Sequence, residues 1–215
     1  MLSSYMESKA PNRSAQQFNE YENFSFHPHN VLLALVLFGL STLFLSMTIA
    51  FVYSRVQSDL PPIKLPNIFY FNTLILVASS GTMLWAKRSY QEDNTRNYQM
   101  ALASTILLSF FFMGMQYVGW NQLIGQDIFI NTDNSAGYLY VISGLHFAHV
   151  IAGIPFLLVF LFVARKRMKE PVSVLVYFSD PEKRLKLRLL TIYWHFLDAL
   201  WIYLVLFFLV NYLVR

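Results

Sequence analysis

The stretch "LTIYWHFLDALWIYLVLFFLVNYLV", residues 190–214, decides the fold. It is long and apolar enough to cross a bilayer, which takes about 20 residues of helix. Yet His195 and Asp198 sit inside it, three positions apart. Insertion scales put an Asp at a helix centre at roughly +3 kcal/mol and a Leu, Ile, Phe or Val at about −0.5. The segment holds more than a dozen of the latter, so it still inserts. Its carboxylate then needs a partner or a proton, and His195 is on the same helical face.

The rest of the chain has the same character. Of its 215 residues 56 % are apolar and only 13 % charged, where a soluble domain carries about 25 % charged residues. The 20 Phe suit a surface in contact with lipid. There is no Cys, which removes disulfides, thiolate metal sites and Cys-linked haem. Residues 1–30 are polar and do not read as a signal peptide, because the first apolar run starts late and is long. They are expected to form a cytoplasmic segment, mobile in part.

Five stretches can span a membrane: about 31–54, 67–86, 100–123, 138–164 and 188–214. The predicted fold is all-α, a polytopic bundle of five transmembrane helices over 31–215. An odd number of spans puts the termini on opposite sides. With the N-terminus inside, the inner segments hold 13 of the 16 Lys and Arg residues, and the outer ones hold only Arg55, Lys64 and Arg215. The positive-inside rule then gives a cytoplasmic N-terminus and an outer C-terminus. The connection 165–188 carries "VSVLVYF" between two basic clusters and reads as a segment lying at the interface, beside anionic headgroups.

Polar residues inside the spans are candidates for function. His146 and His149 share a face of the fourth span, and His195 and Asp198 share one of the fifth. In an antiparallel pair, His149 and Asp198 fall at similar depth. Three readings compete. Three His and one Asp suffice for some metals, but the first three spans hold no His, Asp or Glu to complete a haem or di-metal core. Proton or ion transport by this chain alone would need a polar file across the bilayer, and none is visible. The favoured reading is a structural polar core, made of His146, His149, His195, Asp198, Asn72 and Gln116, that fixes helix rotation and depth through hydrogen bonds. Small-residue ladders join it: Gly144, Ala148 and Ala152 in the fourth span, and Thr42, Ser46 and Ala50 in the first.

These residues also carry a resemblance. "YWHFLDALWIYL" resembles the last-helix signature of subunit III of the haem–copper terminal oxidases, through Tyr193, Trp194, His195, Phe196, Asp198 and Trp201. "SGLHFAHVIAG" is similar to the family's His-x-x-His-Val-x-x-Gly helix, through His146, His149, Val150 and Gly153. "PNIFYFNTLILVASSGTMLWA" resembles another of its helices, through Asn72, Thr73, Ser79, Ser80, Gly81, Thr82 and Trp85. "GMQYVGW" occupies the place of its Gln-bearing helix, with Gln116. The chain looks like the five-helix bacterial version.

The resemblance implies an accessory subunit of a cytochrome c oxidase of the aa3 or caa3 type, in the bacterial cytoplasmic (inner) membrane. Such a subunit has no catalytic, cofactor-binding or metal-ligating residue of its own. It packs directly on subunit I beside the other oxidase subunits, binds phospholipid and supports proton uptake. Haem and copper belong to the partner subunits, which reduce oxygen to water and pump protons. A larger respiratory supercomplex is a further candidate partner; nucleic acid is not. Subunit III of a quinol oxidase, or a subunit-III-like partner of a nitric oxide reductase, is an alternative within reach of the same motifs. From another class comes a free-standing membrane metalloenzyme using His146, His149, His195 and Asp198.

Two departures stand out. Many members have a Glu in the first of these helices where "GLSTLFLS" has Thr42, and a Glu-Tyr pair where Gly119 and Trp120 stand here. The lipid cleft of seven-helix members has one wall made of helices this chain lacks. Finally, "FSFHPHN" puts His27 and His29 just before the first span. An imidazole titrates near pH 6.5, so the two are candidates for a proton antenna on the cytoplasmic side. The alternative is that Pro28 simply starts the helix.

Overall fold

The computed structural model of the chain describes residues 28–59, 63–168 and 170–214. Among these residues all regular structure is helical: α1 (Pro28–Gln57), α2 (Asn67–Gln91), α3 (Thr95–Ile124), α4 (Asn134–Arg167), α5 (Pro171–Ser179) and α6 (Pro181–Leu213). All but α5 are long and apolar enough to cross a membrane. The chain divides into two compact units, residues 1–40 and 41–215. In the first, residues 28–40 are described, and they are helical. The second holds the rest of α1 and all the other helices.

The helices outrun the apolar stretches of the sequence. At 1.5 Å per residue α2 is about 37 Å long and α4 about 51 Å, against a hydrocarbon core of about 30 Å. Backbone hydrogen bonding continues into the interface, where charged side chains are solvated. The largest difference is at α6, which begins seven residues before the predicted span, at Pro181 rather than 188. Its start is set locally. Asp180 caps it, accepting from the Glu182 backbone N–H at 3.0 Å, and Pro181 stands in the first turn, where a missing N–H costs nothing. Asp133 and Asn94 cap α4 and α3 in the same way, at 2.7 and 3.0 Å. The chain reverses between α2 and α3 in three residues, with Asp93 in the left-handed region at φ 54°, a conformation Asp tolerates better than most residues.

Inside the second unit, a set of polar residues is buried while many large apolar ones face outward. Asn72, Ser79, Thr105, Ser109, Gln116 and His146 are buried, whereas Leu74, Leu107 and Phe162 are 66, 70 and 63 % exposed. Lipid tails are as apolar as Leu, so they supply no drive to bury it; close packing and hydrogen bonds between helices decide the inner faces instead. From Ser41 onward, α1 joins the unit through one stripe. Phe44 meets the ring of His149 at 6.0 Å, and Phe51 meets Tyr138, Phe207 and Phe208 at 5.5–6.1 Å. Arg55 donates to the carbonyls of Asn211 and Val214, satisfying acceptors that the C-terminus of α6 would otherwise leave open. These pairs make this part of α1 parallel to α6 and antiparallel to α4.

Candidate functional site

The motif helix α6 is bound to α2 by two consecutive serines. The Trp194 indole Nε1–H donates to Ser79 Oγ at 3.0 Å. Next to it, Ser80 Oγ and His195 Nδ1 are hydrogen-bonded at 2.6 Å. The Asp198 carboxyl is 5 % exposed, and its Oδ2 is buried with no hydrogen-bond partner among the described residues. A helix rotates by 100° per residue, so two adjacent residues cannot lie on one line. The tandem pairs Ser79–Ser80 and Trp194–His195 therefore fix the rotation of both helices. A slip of one residue in either would break both bonds.

The three imidazoles go to different neighbours. His146 is fully buried, with its ring 5.0 Å from that of Trp201 and 5.9 Å from that of Phe112. Phe69 stacks on the other side of Trp201 at 5.8 Å and 10°. His149, one turn on, has its Nδ1–H donated to the Leu145 carbonyl of its own helix at 2.7 Å, and its ring lies against Phe44. Its backbone carbonyl accepts from the Tyr193 hydroxyl at 3.1 Å. His195 faces α2. The contacts His146–Trp201 and Gly153–Trp194 share one antiparallel register, which sets His149 level with Asp198. The side chains at that level nevertheless diverge, because i and i+3 differ by about 60° around the helix. Among the described residues no three His, Asp or Glu side chains converge in a geometry that could hold a metal ion.

The remaining predicted polar residues form a clip of their own. Asn72 Nδ2 donates to Gln116 Oε1 at 2.9 Å between α2 and α3, both fully buried. Several clips involve residues that sequence reasoning did not single out as polar core. Thr82 and Thr105 join α2 to α3 at 2.8 Å, and Trp120 Nε1 donates to Ser143 Oγ at 3.1 Å to join α3 to α4. Thr48 and Tyr203 join α1 to α6 at 2.9 Å. Each such hydroxyl also has, or can have, a carbonyl of its own helix as acceptor, as Thr105 does with Ala101 at 3.0 Å. That is why Ser and Thr are unremarkable in a transmembrane sequence, and no signal short of the partner's position marks these.

The packing ladders lie on outward faces of the chain. Thr42 and Ser46 are exposed, and the inward stripe of this part of α1 is Phe44, Thr48 and Phe51. In α4, Ala148 and Ala152 are exposed, and a Cβ on Gly144 would meet nothing within 4 Å. The close approaches occur instead at Gly153, where a Cβ would lie 2.9 Å from the Trp194 ring, and at Gly119, where it would lie 2.8 Å from Ile68 Cγ2. A lone Gly facing a large side chain of another helix admits a ring or a branched side chain, a fit with no small-xxx-small spacing to betray it. Of the two antenna candidates, His29 is exposed in the first turn of α1, and His27 lies outside the described residues.

Chemically, the arrangement joins helices. Hydrogen-bonded pairs join neighbouring helices, while both ring nitrogens of His146, His195 Nε2 and Asp198 Oδ2 are buried with no hydrogen-bond partner among the described residues. The open grooves are elsewhere. One, of about 690 Å³, runs along α1 and α6 past Leu45, Ile49 and Phe207; another, of about 640 Å³, lies by Lys64 and Asn67 at the start of α2.

Comparison with known proteins bears on the same helices. The family model for cytochrome c oxidase subunit III matches residues 29–213. The probable cytochrome c oxidase subunit 3 of Rickettsia felis is 34 % identical over 142 residues, 66 % of this chain and 47 % of that protein. Cytochrome c oxidase subunit 3 of Gallus gallus is 30 % identical over 148 residues, 67 % of this chain and 49 % of its own length. The chain spans about half the length of these curated relatives. With the match running through every membrane-spanning helix and both His-bearing motifs, the chain belongs to the cytochrome c oxidase subunit III family.

Proposed function

We propose that this chain is an accessory, redox-inactive subunit of a proton-pumping cytochrome c oxidase of the aa3 or caa3 type. In this reading it packs on subunit I in a bacterial inner membrane, with its N-terminal segment cytoplasmic. Oxygen is reduced to water at haem and copper held by the partner subunits. The observation that carries the proposal is the use made of the family's own motif: Trp194 and His195 are spent on Ser79 and Ser80 of a neighbouring helix. A motif consumed in this way serves to hold a shape, and the shape supports the catalytic subunit and its bound phospholipid. The distribution of Lys and Arg supports the orientation. The divergence of His146, His149 and His195 speaks against a free-standing metalloenzyme.

The test is a tagged chain expressed with its oxidase. Asp198→Ala should reduce retention of the subunit in the purified complex by roughly tenfold, equivalent to about 1.4 kcal/mol, while the haem spectrum per subunit I stays unchanged. Stripping the subunit away should leave haem and copper stoichiometry as it was. Loss of one metal per chain removed, or loss of haem with the Asp198→Ala subunit fully retained, would overturn the accessory reading.

A further inference from the structure

We propose that α5, with the basic residues beside it, is a docking surface for anionic phospholipid headgroups that sets the depth of this end of the bundle in the leaflet. The proposal rests on the membrane-spanning reading and its orientation, and not on assembly with an oxidase. At 9 residues, α5 is far too short to cross a bilayer. Its inward side is anchored to protein. Tyr177 and Phe178 are buried, and the Phe178 ring stands 5.0 Å from Tyr90 and 6.2 Å from Tyr98. The Tyr90 hydroxyl donates to the Tyr177 carbonyl at 3.1 Å, and Lys183 Nζ sits 4.6 Å over the Tyr177 ring.

These anchors give α5 its height. The apolar run of α2 ends at Ala86, followed by Lys87 and Arg88. Tyr90 stands just over one turn beyond Ala86, about 6 Å along the axis. A helix held at Tyr90 therefore lies at the boundary of headgroups and acyl chains, the level at which interfacial helices are found.

The outward side has two parts. Leu175 and Val176 are 66 and 63 % exposed. Flanking α5 in the chain are exposed cations: Arg165, Lys166 and Arg167 in the last turn of α4, and Arg184 in the first turns of α6. Lys183 and Lys186 are closed on Asp180 and Glu182 at 2.8 and 2.6 Å; the other four make no ion pair among the described residues. Two apolar side chains are far less than the roughly 800 Å² per partner that a stable protein interface buries. They suit insertion between acyl chains, while the cations suit phosphate. Charge and size together select the lipid surface over a protein.

The chain has no Cys, so a single spin label can be placed at α5 through Leu175→Cys. The full chain is reconstituted into nanodiscs of phosphatidylcholine alone or mixed with phosphatidylglycerol. The label should be shielded from a water-soluble nickel relaxant in the bilayer, more so with phosphatidylglycerol. The ring of lipid retained by the chain should be enriched in phosphatidylglycerol. Each cation near an anionic surface carries roughly a fivefold preference, so the triple variant Arg165→Gln, Lys166→Gln and Arg167→Gln should lose about tenfold or more of that enrichment. A label fully open to nickel in both bilayers, an unchanged enrichment in the triple variant, or shielding that arises only in the assembled oxidase would each overturn the proposal. Because the isolated full chain suffices, failure to associate with subunit I would sink the proposed function and leave this result standing.

Discussion

Two glycines of α4 should respond in opposite directions to the same substitution. At Gly153 an added methyl group would sit 2.9 Å from Trp194 Cζ3 and 3.2 Å from Tyr193 Cε1. Neither ring can swing away cheaply. Trp194 is buried and held by its bond to Ser79, and Tyr193 is held by its bond to the His149 carbonyl. Overpacking of this kind costs about 1–3 kcal/mol, against a helix-propensity gain from Gly to Ala of about 0.5–1 kcal/mol. Gly153→Ala should therefore destabilise the chain by about 1–2 kcal/mol. At Gly144 the same methyl meets nothing within 4 Å, so only the propensity gain remains and Gly144→Ala should stabilise by about 0.5–1 kcal/mol. The two variants should differ by about 2 kcal/mol, close to thirtyfold in the unfolding equilibrium constant. Reversible unfolding in mixed micelles, titrated with sodium dodecyl sulfate and followed by Trp fluorescence, reads this directly. If the two midpoints coincide, the close approach of α4 and α6 at Gly153 is wrong.

Other consequences can be checked with similar means. Gln116→Leu should strand the Asn72 amide and cost about 1–3 kcal/mol, part of which the double variant with Asn72→Leu should recover. A coupling energy of about 0.6–1.7 kcal/mol is the range for hydrogen bonds between membrane helices, and a coupling of zero would remove that clip. The Lys183 ammonium, aided by the backbone N–H groups of Glu182 and Lys183, holds the Asp180 carboxyl below its ordinary range. A depressed folded value means that the cap is fully effective above about pH 4 and is lost as pH falls through the lower folded value. Amide protection at Glu182 should therefore drop on acidification and do so much less in Asp180→Asn; equal profiles would count against the cap. For the antenna idea, His27→Ala with His29→Ala in an intact complex should slow turnover increasingly above pH 7, and superimposable pH–rate curves would end it.

The five long helices could be read from residue order alone, because the demand for about 20 apolar residues per span is local and severe. Asp198 and the three intramembrane imidazoles could be singled out for the same reason, since each is costly in hydrocarbon wherever it points. Their partners could not. Ser79 and Ser80 are 115 positions from Trp194 and His195, and nothing near either end announces the other. The helix α5 was visible only as a short apolar run, and its aromatic anchor on Tyr90 and Tyr98 came with the fold.

Rotation is what residue order leaves open, and the reason is physical. In water, the apolar stripe of a helix names its inner face. In lipid both faces are apolar, so periodicity no longer distinguishes Thr42 and Ser46, which point outward, from Phe44 and Thr48, which point inward. The inner faces are chosen by contacts that exist only once helices are side by side: a Trp ring against the hydrogen of Gly153, a Ser hydroxyl within reach of an imidazole. Sequence order therefore determined how many times this chain crosses the membrane and which residues are costly there, because those are properties of single segments. Which face each helix turns inward was decided by tertiary structure alone, because in a solvent of hydrocarbon only another helix can tell the faces apart.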